Sequence, residues 1–226
     1  MNTMRHSGIG MTSQRTRNRL IERLREGDEA KGMCAIRDEV VLAAMNAVPR
    51  HIFVDEALAS RAYDNVSLPL GFGQTISQPY IVARMIEILR DKRPLRRVLE
   101  IGTGCGYQAA VLAHVAQEVY SVERVQPLYE RASAYLKELQ LDNAVLSYAD
   151  GNMGLPAAAP FDGIIMAAAA THVPPALLAQ LAVGGRMVMP KGAPDQYLCL
   201  IERDEQGFRE TRIEAVHFVP LLMGRT

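Results

Sequence analysis

Gly102-Thr103-Gly104-Cys105-Gly106 sits between an apolar run, Val98-Leu99-Glu100-Ile101, and residues that can open a helix at Tyr107. A strand, a turn almost without side chains and a helix N-terminus let a backbone approach a ligand that any Cβ would obstruct. Twenty-one positions after Gly102, at the end of the alternating run Val119-Tyr120-Ser121-Val122, stands Glu123. An acid at that interval accepts hydrogen bonds from the ribose hydroxyls of an adenosine-bearing cofactor. The glycine spacing is G-x-G-x-G, not the G-x-G-x-x-G of dinucleotide sites, and a second acid, Glu100, precedes the first glycine. A carboxylate beside the loop repels a pyrophosphate and suits a cation, which points to the sulfonium and ammonium groups of S-adenosylmethionine. A plain tight turn is the alternative, and the pair Glu100 and Glu123 weighs against it.

Asp150-Gly151 follows the third strand-like run and can accept the adenine amino group, or else form an ordinary Asp-Gly turn. Glu100, Glu123 and Asp150 then fall at the carboxyl ends of three strands, where open α/β sheets bind ligands.

The elements that must position these residues are legible from periodicity. Helical spacing runs over 14–26, with Thr12 or Ser13 as cap, and over 37–48. Residues 50–78 read as irregular, broken by Pro69, Gly71 and Gly73, and Pro79 opens a helix. Strands are expected at 97–101, 118–122, 144–149, 162–167 and 186–190, with helices at about 107–116, 126–140 and 174–183. This alternation implies a doubly wound parallel sheet with helices on both faces. Runs 196–203 and 208–218, joined by Asp204-Glu205-Gln206-Gly207, predict an antiparallel hairpin at its edge. The expectation is one α/β domain of 226 residues with a mostly parallel, seven-stranded sheet. Residues 1–11 form a loose tail, 12–95 an attached helical layer, and 96–226 the cofactor-binding sheet and hairpin.

A formal net charge of zero argues against nucleic acid or an anionic membrane as partner. Three cysteines, Cys34, Cys105 and Cys199, without C-x-x-C pairing predict neither disulfide nor zinc and suit a reducing compartment. His6, His51, His114, His172 and His217 match no ligand spacing, so no metal is expected. Six arginines against one acid in residues 1–25 faintly suggest a transit peptide, but Arg15, Arg19 and Arg23 fit the polar face of a helix better. A cytoplasmic monomer is expected.

Read together with the segment before them, these residues resemble the protein-L-isoaspartate (D-aspartate) O-methyltransferase family. The likeness runs through Val48-Pro49-Arg50-His51-Ile52-Phe53-Val54, Ala62-Tyr63-Asp64-Asn65 and Leu68-Pro69-Leu70-Gly71-Phe72-Gly73-Gln74-Thr75-Ile76-Ser77-Gln78-Pro79. It continues in Ala159-Pro160-Phe161-Asp162-Gly163-Ile164-Ile165, in Gln180-Leu181 with Gly184-Gly185, and in Phe218-Val219-Pro220-Leu221. The resemblance implies a Rossmann-like class I methyltransferase. Such an enzyme moves a methyl group from S-adenosylmethionine to the α-carboxylate of L-isoaspartyl residues, D-aspartyl more weakly, in damaged proteins and peptides. It implies Ser77 as the active-site serine on the substrate carboxylate, with Thr75, Ile76, Gln78 and Val216 in the acceptor groove. It also implies Gly102, Gly104, Gly106, Glu123 and Asp150 around the cofactor, joined by Glu100 and Gly151.

Cys105 stands where the family often has serine, and Ala149 where glycine is frequent. Met166-Ala167-Ala168 replaces the usual Val-Thr-Ala, so one polar contact near the cofactor is missing. Ser77 can also be read as the cap of the helix that Pro79 opens. The chain has no G-x-S-x-G elbow, and methyl transfer to an ionised carboxylate needs no general base. Two alternatives are a nicotinamide-dependent oxidoreductase and an inactive cofactor-binding scaffold.

Overall fold

Leu20, Ile21 and Leu24 turn one face of α1 (Gln14–Glu26) into the core. The expected boundaries hold, and Ser13 is the N-cap, although its side chain makes no capping bond. The computed structural model describes residues 8–226. Met1 to Ser7, most of the expected tail, lie outside the described residues, and Gly10–Thr12 form a 3-10 turn. The next helix, α2 (Glu39–Ala47), is shorter than the expected 37–48. Asp38 caps it by accepting from the Val40 amide at 3.0 Å, and the same carboxylate takes Arg90 Nε at 2.8 Å.

Residues 50–78 are more ordered than their glycines and proline suggest. Two 3-10 turns, Arg50–Phe53 and Glu56–Arg61, lead to an antiparallel hairpin of β1 (Leu68–Gly71) and β2 (Gln74–Ile76). Leu68, Leu70 and Ile76 are buried, so tertiary packing overrides the breaking tendency of Pro69. The helix α3 (Pro79–Arg90) starts at the expected proline.

From Leu95 strands and helices alternate: β3 (Leu95–Ile101), α4 (Tyr107–Ala113), β4 (Ala116–Glu123), α5 (Gln126–Glu138), β5 (Ala144–Tyr148) and β6 (Phe161–Met166). Then come α6 (Pro175–Gln180), β7 (Leu181–Lys191), β8 (Gln196–Asp204) and β9 (Gly207–Val216). The seven strands stand in the order β5-β4-β3-β6-β7-β8-β9. Pairing is parallel from β5 across to β7 and antiparallel for β8 and β9, as the sequence predicts. Asp204 Oδ1 closes the last hairpin by accepting from the amides of Gln206 and Gly207 at 2.8 and 2.9 Å.

The largest departure from periodicity is at the start of β7. The helix expected over 174–183 stops at Gln180, because Leu181 pairs with Phe161 and starts β7 five residues before the expected strand.

Side chains alternate across the sheet. Val98 and Val119 pack beneath the N-terminal helices, while Leu99, Ile101, Val122 and Phe161 pack on the opposite face with Leu177. Glu100 and Ser121, opposite each other in register, therefore point into the first core. After β5 the chain crosses back to place β6 on the other side of β3. The carboxyl end of β3 is thus the switch point of the sheet, where a crevice opens. Among the described residues no helix is long and apolar enough to cross a membrane.

Candidate active site

The crevice is a cavity of about 830 Å³, mouth included. Its walls come from four places: Gln74 to Ser77 at the end of the hairpin, Gly102 to Cys105 after β3, Glu123 to Val125 after β4, and Val219 to Leu222 near the C-terminus. Gln108, Gly151, Ala167 and Ala168 are among the other residues that line it.

The glycine loop is shaped by φ values that side chains avoid: +90° at Gly102, +57° at Gly104 and +90° at Gly106. Gly106 is the N-cap of α4 and lies off the cavity, where a Cβ would meet that of Ala132 of α5 at 3.1 Å. It shapes the loop from behind. Gly151 lines the cavity and passes so close to β3 that a Cβ there would meet Ile101 at 2.6 Å.

Glu123 ends β4 with its carboxylate under the loop. One oxygen accepts from the Gly104 amide at 2.7 Å, the other from the amides of Arg124 and Val125, both at 2.8 Å. A carboxylate has about four acceptor sites, so one remains open toward the cavity.

Glu100 does not line the cavity, contrary to its expected role beside the cofactor. It is fully buried behind the loop, where Gln108 Nε2 donates to it at 3.0 Å and the Ser121 hydroxyl bonds to its other oxygen. Thr103 Oγ1 meets the same serine at 2.6 Å. Burial pushes the Glu100 carboxyl up to about 8, against the lowering effect of the Ser121 and Gln108 bonds. The group braces the loop. Period 2 could have revealed this, since Val98 and Glu100 share one face.

Asp150 stands beside the cavity and does not line it. It caps the 3-10 turn Gly151–Met153 through the Asn152 amide at 2.9 Å, and its other oxygen accepts from the Gly224 amide at 2.7 Å. Gly224 belongs to a strap that follows β9 over the carboxyl edge of the sheet. Val219 and Leu221 bond to Ala169 at 2.8 and 2.7 Å, and Arg124 Nε donates to the Gly224 carbonyl at 2.9 Å. The strap brings Val219 to Leu222 into the cavity wall. Val216, expected in the acceptor groove, packs against the core instead.

On the hairpin side, Thr75, Ile76 and Ser77 face the cavity, and Gln78 does not. The helix cap is Gln78, not Ser77, which leaves the serine hydroxyl free of that task. The Gln78 amide group donates to the Asn65 carbonyl at 2.9 Å.

Arg50 is the residue that sequence reasoning passed over. It is completely buried, its Nε donating to the Ala62 carbonyl at 2.9 Å and its Nη2 to the Ser77 carbonyl at 2.8 Å. Its guanidinium carbon lies 4.8 Å from the ring centre of Tyr107, the first residue of α4. Nη1 has no hydrogen-bond partner, and burial holds the group below its ordinary pKa. The available signal was a lone charge in the apolar run Val48 to Val54.

A nucleotide-sized crevice at the switch point, glycines at positive φ and an acid ending the next strand define a class I S-adenosylmethionine-dependent methyltransferase. The profile of the family described as protein-L-isoaspartate(D-aspartate) O-methyltransferase matches residues 15–226, and the chain belongs to that family. It is 63% identical over 222 residues to the protein-L-isoaspartate O-methyltransferase of Methylobacillus flagellatus, covering 96% of each chain. The Dechloromonas aromatica enzyme of the same name is also 63% identical, over 96% of this chain and 98% of its own. The fold is similar to a Plasmodium falciparum putative protein-L-isoaspartate O-methyltransferase solved with S-adenosyl-L-homocysteine (TM-score 0.73, 25% identity, 91% of this chain and 98% of that one). A second solved protein-L-isoaspartate O-methyltransferase superposes with a TM-score of 0.80 at 26% identity, over 92% of this chain and 67% of that one. The family assignment sets aside the nicotinamide-dependent alternative.

Proposed function

We propose that this methyltransferase repairs aged proteins by esterifying the α-carboxylate of L-isoaspartyl residues, D-aspartyl more weakly, with Ser77 orienting the acceptor. The reading is carried by one observation: Thr75 to Ser77 and the loop Gly102 to Gly104 line the same cavity. When bound, S-adenosylmethionine would supply an electrophilic methyl group, with its sulfonium sulfur as the leaving group that takes back the C–S electron pair.

The Ser77 hydroxyl donates to one carboxylate oxygen and leaves the other free to attack. A carboxylate with an ordinary pKa near 4 is already ionised, so no residue has to remove a proton. Catalysis then rests on alignment within a partly dry crevice, where opposite charges cancel as the ester forms. Gly102 and Gly104 would give the cofactor a surface of bare backbone, and the free site on Glu123 would accept one of its ribose hydroxyls, with Gly151 and the strap closing the same cavity. The methyl ester closes to a succinimide, and hydrolysis returns part of it to aspartate.

In this reading the whole chain works as one domain. Residues 12–95 receive the acceptor and 96–226 hold the cofactor. The enzyme acts as a cytoplasmic monomer on proteins and peptides; its zero formal net charge speaks against nucleic acid or an anionic membrane as partner.

The test is base-labile methyl ester formation on an isoaspartyl peptide and its aspartyl twin, by wild type and Ser77→Ala. Strong preference for the isoaspartyl peptide is expected, with turnover depressed in the variant and cofactor affinity unchanged. Equal labelling of the two peptides refutes the repair reading, and full activity of Ser77→Ala refutes the role of Ser77.

A further inference from the structure

The turn between β1 and β2 holds three consecutive residues at positive φ: Gly71 at +84°, Phe72 at +53° and Gly73 at +67°. The glycines adopt this freely. A bulky side chain does so rarely, and asparagine or glycine is the common occupant of such a position. The phenylalanine gains nothing visible in return, since it is 61% exposed. The root of the same hairpin is fixed. Leu70 is buried where a Cβ added at Gly104 would touch its side chain at 3.7 Å, and Arg131 Nη2 donates to the Leu70 carbonyl at 3.3 Å. Gln74, two residues beyond the tip, already lines the cavity, and Ser77 lies three further on.

We infer that Phe72 is a contact for the acceptor peptide, its ring packing on an apolar side chain that flanks the isoaspartyl residue. The inference rests on the substrate reading above. Five residues at about 3.3 Å each place the tip at most about 17 Å from Ser77 along the strand. An extended peptide with its carboxylate at Ser77 reaches that distance in about four or five residues. Phe72 therefore reads the flank of a substrate and leaves the reacting group alone. Because the ring meets only side chain, it favours peptides with an apolar residue there and leaves the rest of the sequence unread.

The experiment compares wild type, Phe72→Asn and Phe72→Tyr on three isoaspartyl peptides. One is a tripeptide, one an undecapeptide with leucines in the outer flanks, and one the same undecapeptide with glycines there. Phe72→Asn is expected to raise KM for the leucine peptide at least fivefold, with kcat and S-adenosylmethionine affinity held. Its KM for the tripeptide and the glycine peptide changes less than twofold, Phe72→Tyr restores the leucine preference, and the melting temperature stays at or above that of wild type. A KM for the leucine peptide indifferent to Phe72 overturns the inference. So does an equal loss on all three peptides, or a change of oligomeric state in light scattering that makes the ring a self-association contact. Failure of the wild type to methylate any isoaspartyl peptide overturns the substrate reading itself, and this inference with it.

Discussion

Arg50 Nη2 donates to the carbonyl of Ser77 at 2.8 Å, joining a fully buried cation to the backbone of the proposed catalytic serine. The same guanidinium holds the Ala62 carbonyl and lies over Tyr107 at the start of the helix behind the glycine loop. One side chain thus ties the acceptor segment to the cofactor segment. A buried cation whose Nη1 amino group is unpartnered is costly to stability, which suits a role in positioning.

Arg50→Met leaves two carbonyls without their donor, at about 1–3 kcal/mol each, and removes the cost of burying a charge. The two effects oppose, so denaturant unfolding is expected to shift by less than about 2 kcal/mol. Methyl transfer should fall by about tenfold or more because Ser77 loses its anchor, with S-adenosylmethionine affinity far less affected. Arg50→Lys keeps the charge and loses the fork that reaches both carbonyls, so it should rescue only part of the rate. Unchanged kcat/KM in a folded Arg50→Met enzyme removes the residue from the positioning role.

Glu123→Ala removes the proposed ribose acceptor and also releases the amides of Gly104, Arg124 and Val125. Hydrogen bonds to charged groups are worth about 1.5–3 kcal/mol, so cofactor affinity should fall roughly ten- to a hundredfold. Glu123→Gln keeps one acceptor oxygen and should lie between. Calorimetric titration with S-adenosylmethionine checks the series, and equal affinities across it exclude Glu123 from the site.

The buried Glu100 carboxyl, raised to about 8 against an ordinary 4.5, links folding to pH. Between those values the folded state holds a proton that the unfolded state has lost. Stability contributed by this group is therefore full below about pH 4.5 and declines as pH rises toward 8. Glu100→Gln should flatten that decline and become the more stable form at pH 8.5, on the order of a few kcal/mol. Urea midpoints of both proteins at pH 5.5 and 8.5 check it. Parallel pH profiles would show that Glu100 titrates normally.

Cys105 lines the cavity, yet burial pushes its thiol up to about 11, so it stays protonated at neutral pH and is a poor nucleophile. Cys105→Ser should retain activity within about threefold, since the thiol acts as a small packing group. Iodoacetamide at pH 7.5 should modify Cys34, which is exposed, and spare Cys105 in the folded enzyme. Loss of turnover in a well-folded Cys105→Ser protein would give the thiol a chemical role.

The sequence by itself determined the strand-turn-helix unit around Gly102 to Gly106, the place of Glu123 and the alternation that builds the sheet. Each is a local pattern, in which spacing of apolar residues and glycine conformational freedom act within a few positions of one another. The family resemblance pointed to the segment Thr75 to Ser77, which lines the same cavity as the glycine loop. Tertiary structure alone decided what each polar group does. Glu100 and Glu123 look equivalent along the chain and fall on the same face of the sheet, but Glu100 lies inside β3 opposite Ser121 and is sealed in the core, while Glu123 is the last residue of β4 and meets the loop. Leu181 became strand instead of helix because Phe161 was there to pair with it. The bonds from Arg50 to Ser77, Asp150 to Gly224 and Val219 to Ala169 join residues that no local pattern relates. Their partners are chosen by which ends of the sheet the fold brings together, and that choice follows from burying both faces of the sheet, a property of the whole chain.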